Sequence, residues 1–545
     1  MEDYSQELEE LIALHKANEY EKALEKAQTL LQKYPNVQSI QFTCSSIFIF
    51  NGEKYKSMEL VDKGIQLMET LYSYCHQIDP RDIFNNQLRL EINLSLGYDA
   101  KAKLLNRVTE TKQIEAIKQK QKRFIQNTIL AKKRLNPNDF SSLTNNYAAL
   151  LSFFGRCVES VDYYCDALEV NKDNSFAKGN LGVAFLPLIP LSKKYGLKIS
   201  FQSWQLLTKA IKNNDKLKTS NGKPVPNGEE SITNFTKALG EIETMINLSF
   251  DDGLYKLIEV MKKIESGQDF QPSSYLKFIG DKRLILTVNP EIWNFKNDYK
   301  DDLPLPNVIT TDIEKEKNKT LCYIFNQIKE EFATARHLYY QSFSQDQELI
   351  ELSNITEYID TLDSADFGFK SGFLKTSLRL AVDLLDKCAG FLNLYLELGN
   401  DPTKVTWNNV WYKKLKYKNS FDNSLNPIIG QKVEYNSYLK ALVSVRKDLY
   451  DKEYEDFYPF KILRDYVTHQ GITLHQNEVM DTSKVNYSLE QMQEETYFLL
   501  RMVKAAIIYL VGVVMIEEKE KEKKTHNIVN TTFYTKPGLS DRTIN

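Results

Sequence analysis

One stretch of the C-terminal half has apolar residues at every third or fourth position. It extends from about 373 to 398. This spacing places the apolar side chains on one face of a helix, which predicts an amphipathic helix packed against a core. The stripe consists of Leu374, Leu378, Val382, Leu385, Ala389, Leu392 and Leu396.

Similar patterns predict further helices at about 313–343 and 489–516, and another that begins near Pro459. Proline is favoured in the first turn of a helix. A loop-rich stretch containing Trp407 and Trp411 separates the helices at 373–398 and near 459. The longest apolar run, Ala505–Ile516, is shorter than the ~20 residues that a membrane span needs, so it predicts a buried helix.

The N-terminal part of the chain contains an internal repeat. Small residues at Ser160 and Ala167 follow a turn at Gly155, and the motif Asn146-Tyr147-Ala148 recurs about 34 residues later as Asn180-Leu181-Gly182. This arrangement resembles a tetratricopeptide repeat, in which small residues allow two helices to approach closely. Such arrays present a concave surface. The repeats over 1–215 are therefore expected to bind a protein or peptide, with a purely structural scaffold as the alternative.

Residues 216–310 are predicted to connect the repeats to the next domain. A loop covers 219–228, one or two helices follow, and Leu284–Val288 begins a short extended or β segment near 280–306. Residues 517–545 form a charged tail that we expect to be partly disordered, with a solvated helix end at its start.

The net charge is −3, so no overall basic field attracts nucleic acid. Any RNA site must be a local cleft or arise by assembly. The six cysteines, which form no zinc-ligand spacing, indicate reduced core thiols of an intracellular protein. We therefore expect a cytoplasmic protein without a membrane partner, a metal or another cofactor.

The segment Arg464–His469 carries the candidate chemistry. Histidine exchanges a proton near neutral pH, since its reference pKa is about 6.5. Arginine stays charged and can bind two phosphate oxygens at once. Asp465 and His469 are four residues apart, on one face of a helix, so Asp465 can orient the imidazole. Arg464 and His469 differ by about 140° around an ideal helix and therefore need a partner to form one site.

Four segments, taken in order, resemble the HEPN superfamily of small helical nucleotide-binding domains, and more narrowly its prokaryotic branch that follows tetratricopeptide repeats. Members carry Arg, a polar residue most often Asn, three further residues and His; here the polar residue is Asp465. The resemblance covers roughly 275–475. The segments are Arg283–Pro290, Glu331–Arg336, Leu385–Tyr395 and Arg464–His469.

The resemblance implies metal-independent RNA cleavage. The ribose 2′-OH attacks the adjacent phosphate and leaves a 2′,3′-cyclic phosphate and a 5′-OH, at a composite site in a homodimer or higher homo-oligomer. Arg464, Asp465 and His469 are the implied catalytic residues. Five further residues can line the cleft: Glu331, Arg336, Asp386, Lys387 and Asn393. Alternatively, Glu331 and Arg336 form an intradomain ion pair, and the other three residues tie helices together.

The sequence thus predicts an all-α protein in which tetratricopeptide-like repeats (1–215) and a connecting region (216–310) precede a HEPN domain of the four-helix-bundle type (311–516). By analogy with the family, the repeats govern an RNA-cutting effector of prokaryotic defence or stress responses. The alternative is a non-catalytic assembly protein that dimerises and recruits partners. A toxin silenced by adenylylation is disfavoured, because the tyrosine it needs two residues after the histidine is Gly471 here.

Overall fold

The computed structural model describes most of the chain. The described residues are 4–75, 80–130, 135–191, 195–213, 228–249, 272–288, 300–309, 315–359, 361–414, 421–450, 471–475, 486–524 and 530–531. They form two compact units, the first containing residues 1–150 and 166–174 and the second 151–165 and 175–545. The predicted boundary near 215 lies inside the second unit.

The first unit is a series of helices, of which the first six pack one against the next along the chain. Helices α7 and α8 have residues in both units. This succession of hairpins confirms the predicted all-α array, while its assignment to tetratricopeptide repeats stays a prediction. The helices are α1 (Ser5–Lys16), α2 (Tyr20–Lys33), α3 (Gln38–Lys54), α4 (Met58–Cys75), α5 (Pro80–Leu104), α6 (Thr111–Leu130), α7 (Pro137–Phe153) and α8 (Cys157–Val170).

Small residues bring neighbouring helices of the first unit close together. Ala23 and Ala27 of α2 are fully buried. A Cβ atom added to Gly64 of α4 would lie 2.8 Å from the carbonyl oxygen of Ser45 in α3. Because real Cβ atoms do not approach backbone oxygen so closely, only glycine fits where these helices cross.

The second unit opens with a helical group that has its own core around Phe201, Leu207 and Phe235. Its members are α9 (Ser175–Phe185), a 3₁₀ turn (Leu186–Leu191), α10 (Gly196–Lys212) and α11 (Gly228–Ser249), followed by α12 (Ser274–Asp281).

Four long helices then pack around a common core: α13 (Lys315–Gln341), α15 (Phe369–Tyr395), α17 (Ser437–Tyr450) and α18 (Leu489–Lys524). Helix α18 contacts the other three, and α13 packs along α15. Of the predicted apolar stripe, the six residues from Leu374 to Leu392 lie within α15 and are all buried; Leu396 is buried just after its end. The sequence missed α17, which lies in the stretch predicted to be loop-rich. Short helices α14 (Gln347–Asn354) and α16 (Pro427–Lys432) complete the described helices of this unit.

Short strands join distant loops. Strand β5 (Thr473–His475) pairs antiparallel with β2 (Ala365–Asp366) and parallel with β6 (Asn486–Ser488). Two antiparallel pairs complete the sheets that the structure describes: β1 (Val308–Ile309) with β7 (Asn530–Thr531), and β3 (Tyr412–Lys414) with β4 (Phe421–Leu425).

Within the predicted extended segment near 280–306, Leu284–Val288 is buried and pairs with no strand among the described residues. Its polar groups bond to a nearby turn instead. The amide of Leu286 donates to Asp301 Oδ1 at 2.7 Å, and Leu303 donates to the carbonyl of Leu286 at 3.0 Å. These bonds satisfy the buried backbone without a sheet.

Helix α18 contains the predicted buried run. Residues Leu489–Lys523 are long and apolar enough to cross a membrane, but 94% of that apolar window is buried inside the protein. Such burial is typical of a core helix. The predicted solvated helix end at 517–524 is exposed at Lys519 and at 521–523. Its first two residues differ, because Glu517 and Glu518 are buried and accept hydrogen bonds from Asn436 and Tyr395, respectively.

We expect Gly512→Ala to lower the free energy of unfolding by about 1–3 kcal/mol, since a well-packed core resists an added methyl group. A Cβ atom there would lie 2.4 Å from the ring of Tyr438, a buried side chain of α17. Gly390→Ala in α15 is the control, because nothing lies within 4 Å and alanine favours a helix by about 0.5–1 kcal/mol. Urea denaturation measures both; equal midpoints would show that Tyr438 moves aside at no cost.

Candidate functional site

The predicted catalytic residues Arg464, Asp465 and His469 lie in 451–470, outside the described residues. The structure does describe both flanks of this segment. Helix α17 ends at Tyr450 before it, and the chain is described again from Gly471. These flanks, and the helices packed on them, form the frame of the candidate site.

Charged contacts hold the last turns of α17. The buried Asp448 accepts a charge-assisted hydrogen bond from Arg156. Two residues earlier, Arg446 donates to Asn408 Oδ1 at 2.9 Å and lies over the ring of Tyr412. The C-terminal end of α17 is therefore anchored on two sides before the candidate segment begins.

The chain after the segment is also anchored. Gly471 has a φ of +81°, a conformation that favours glycine, and Leu474 in β5 is fully buried. His475 is enclosed: Nδ1 lies 3.1 Å from the carbonyl oxygen of Asp363, and Nε2 lies 3.4 Å from Asn486 Oδ1. His475 therefore links β5 to the chain beside its two neighbouring strands.

Glu331 and Arg336, both on α13, do not pair with each other. Glu331 forms an ion pair with Lys387 of α15. Arg336 donates to both carboxylate oxygens of Asp301 and, at 2.8 Å, to the carbonyl of Leu284. Burial opposes the charge of Arg336, but Asp301 outweighs it and the pKa of Arg336 is raised.

The polar residues of α15 bond to the loop that follows the helix. Asp386 Oδ1 accepts from the amide of Trp407 at 2.7 Å. Asn393 makes two hydrogen bonds with the backbone of Asn400, at 3.0 and 3.1 Å. All five possible cleft residues make contacts within the chain, but Glu331 and Arg336 do not form the ion pair with each other that the alternative interpretation describes. The structure brings Glu331 and Lys387 together and pairs the other three with different partners.

A buried charge cluster was missed by the sequence analysis. Arg156 binds Glu159 through two hydrogen bonds, and Glu159 is also 3.4 Å from the hydroxyl of Tyr509 in α18. Three residues further along α8, the fully buried Asp162 accepts from Lys504 Nζ at 2.7 Å. The sequence does contain an indication of this cluster. Acids at 159 and 162 interrupt an apolar stretch of α8, and Arg501 and Lys504 precede the apolar run of α18.

Glu495 is a half-buried acid on α18. Its Oε1 accepts from Gln491 at 3.3 Å, whereas Oε2 has no hydrogen-bond partner in the described part of the structure. Burial raises the pKa of Glu495 to about 7, and Gln491 and Glu494 act in opposite directions on it. The neutral acid is therefore the favoured form below neutral pH.

Glu495→Gln is expected to flatten the pH dependence of stability. The folded carboxyl keeps its proton up to about pH 7, whereas the unfolded one loses it near 4.5. The protonated carboxyl of Glu495 therefore adds to the free energy of unfolding. This stabilisation is fully present below pH 4.5 and falls by about 2–3 kcal/mol as pH rises to 7. Thermal unfolding at pH 5 and 8 measures the difference. Glu522→Gln removes an exposed acid near the end of α18 and should keep the wild-type slope. Identical slopes in all three proteins would contradict the assignment.

The comparisons with known proteins locate one family. A model described as LA2681-like HEPN matches residues 313–518, a range that contains α13, α15, α17, α18 as far as Glu518 and the segment Arg464–His469. No curated protein matches the chain. Residues 313–518 of this protein are therefore similar to the HEPN domains of the LA2681-like family.

Proposed function

We propose that this protein is a metal-independent endoribonuclease whose activity is governed by its N-terminal helical array. The observation that carries the proposal is the family match over 313–518, which encloses Arg464, Asp465 and His469. HEPN domains are in general associated with ribonuclease activity.

The proposed reaction uses side chains alone. His469 takes the proton of a ribose 2′-OH, the 2′-oxygen bonds to the adjacent phosphorus, and the bond from phosphorus to the 5′-oxygen breaks. A proton is returned to the leaving 5′-oxygen. Arg464 stabilises the charge that builds on the phosphate oxygens, and Asp465 orients the imidazole. The products are a 2′,3′-cyclic phosphate and a 5′-OH.

Two copies of the chain are proposed to form the site together. Symmetric pairing would bring two Arg464 and two His469 side chains to one RNA strand, and twofold symmetry is the commonest arrangement of homo-oligomers. It would also concentrate positive charge locally in a protein whose net charge is −3.

The array over 1–215 is proposed to be tetratricopeptide-like and to bind a protein or peptide that controls cleavage. This fits a cytoplasmic effector of prokaryotic defence or stress responses, because an uncontrolled ribonuclease would harm its own cell. An equal rate of RNA cleavage by the purified protein with and without a protein or peptide bound to the array would contradict this control.

The test is direct. The purified protein is incubated with 5′-labelled RNA in EDTA, and the 3′ ends of the products are analysed for cyclic phosphate. Cleavage that persists in EDTA and leaves cyclic ends supports the proposal; a requirement for magnesium contradicts it.

A second candidate function is a non-catalytic assembly protein that dimerises through the HEPN domain and recruits partners. One observation favours it: the five possible cleft residues all bind other groups of the chain in the structure described. These residues are Glu331, Arg336, Asp386, Lys387 and Asn393. Intact RNA in the assay, together with a stable dimer, would support this function instead.

A further inference from the structure

An exposed apolar surface lies between α14 and the start of α15. Six of its side chains project into solvent: Ile355, Tyr358, Ile359, Leu362, Phe367 and Phe369. Ile355 is 76% exposed, Ile359 87% and Leu362 89%. Large apolar side chains grouped in this way on a surface mark an interaction site more often than isolated ones do. We call these six residues the α14–β2 surface.

The surface is an ordered part of the second unit. The rings of Tyr358 and Phe367 stack with centroids 5.7 Å apart. The amide of Phe369 donates to Ser353 Oγ of α14 at 3.2 Å. Leu362 has a φ of +59°, a backbone conformation that is unfavourable for leucine. The chain therefore holds an exposed leucine in an unfavourable conformation, and burial in the fold does not account for it.

Charge on this surface has one sign. Residues 344–369 contain seven Asp or Glu residues and no Lys, Arg or His. Five of these acids are exposed among the described residues: Asp346, Glu348, Glu351, Glu357 and Asp363. Of the described basic residues, Lys370 donates to Gln345, Lys375 is near Asp366, and His475 Nδ1 lies 4.0 Å from Asp363 Oδ2.

This combination restricts the partner. Acidic groups repel RNA and anionic lipid surfaces, and a symmetric pairing of two copies would place like charges opposite each other. A basic segment with one apolar face complements both the exposed apolar side chains and the acidic charge of the surface. Its cations pair with the carboxylates, and its apolar side chains cover Ile355, Ile359 and Leu362. We propose that the α14–β2 surface binds a basic amphipathic segment of a partner protein.

The proposed site is separate from the proposed RNA cleavage and does not depend on it. It is nevertheless close in the fold to the flank of the candidate segment. Strand β2, within this surface, pairs with β5, and Asp363 contacts His475. A bound partner would thus lie on the segment whose strand β2 pairs with β5, the strand that follows 451–470.

The test uses the full-length protein and a fluorescent 18-residue peptide of Lys and Leu whose sequence places all leucines on one helical face. Fluorescence anisotropy gives its Kd. The variant Ile355→Ser/Ile359→Ser/Leu362→Ser is expected to weaken binding about tenfold or more, since three large apolar contacts are lost. The variant Glu351→Gln/Glu357→Gln is expected to weaken it less and to reduce its salt dependence.

Two controls match these changes. Val108→Ser removes an 87% exposed apolar side chain from the first unit, and Glu316→Gln removes an exposed acid from the first turn of α13. Both should bind the peptide as wild type does, and circular dichroism checks that every variant is folded. A peptide with Glu in place of Lys, or with the same residues in scrambled order, should bind at least about tenfold more weakly.

Three results would overturn the proposal. The first is an equal Kd for the triple variant and Val108→Ser. The second is equal binding of the Glu-containing peptide. The third is a wild-type dimer that the triple variant converts to a monomer in sedimentation, which would identify a second copy of the chain as the occupant.

Discussion

His469→Ala is expected to lower the rate of RNA cleavage by a factor of roughly 10²–10⁴, the usual contribution of a general acid or base. The imidazole is the only proposed group of the site that changes charge near neutral pH, and neither Arg464 nor Asp465 can replace it. Arg464→Ala should lose about 10²–10³, because the phosphate oxygens would no longer be neutralised. Gel analysis of labelled RNA in EDTA measures all three proteins.

Two variants make this result interpretable. His337→Ala removes an exposed histidine from α13 and should cleave RNA as wild type does. Asp465→Asn places the commonest family residue beside the histidine and should retain cleavage. Analytical ultracentrifugation must give the same dimer content for every protein. Unchanged cleavage by His469→Ala at equal dimer content would remove the assigned mechanism.

Asp162→Asn is expected to lower the free energy of unfolding by about 3–5 kcal/mol, the cost of removing one partner of a buried ion pair. Asp162 is fully buried, with Lys504 Nζ at 2.7 Å and Arg501 Nε at 3.7 Å. Without the carboxylate, the Lys504 ammonium stays in the core without its closest anion. Chemical denaturation measures the loss.

The pH dependence gives a second readout. Burial lowers the pKa of Lys504, and Asp162 opposes this effect. In the variant the pKa of folded Lys504 falls further below that of the unfolded chain, so the unfolded state binds more protons and stability rises with pH. Part of the loss should therefore be recovered at high pH.

Glu397→Gln is the matched control, because Glu397 pairs with Lys317 at the surface with 69% of its side chain exposed. Exposed pairs contribute about 0.2–1 kcal/mol. If Asp162→Asn costs no more than Glu397→Gln, the buried pair does not hold α8 against α18 as described. Replacing both Asp162 and Lys504 with apolar residues should restore part of the stability, since no buried charge is then left alone.

The periodic pattern located those helices whose burial depends on local spacing. The stripe of α15 and the run Ala505–Ile516 are buried as predicted. Helix α17 was missed although its signal is local: Asn436 accepts from the amide of Leu439, a typical N-terminal cap, and apolar residues follow at helical spacing. The stretch that contains it and the nearby tryptophans was predicted to be loop-rich instead.

The properties of the candidate site likewise fall into those predictable from the sequence and those that depend on the fold. The sequence alone determined the residue types of the motif, their order and the resemblance to HEPN domains, because these properties depend on neighbours a few positions apart. Only the tertiary structure decided the partners of Glu331 and Arg336 and the joining of α8 to α17 and α18. Those contacts connect residues as far apart as Arg156 and Asp448, 292 positions, or Asp162 and Lys504, 342 positions. Local periodicity states which face of a helix is buried; which charge lies opposite depends on how the whole chain packs.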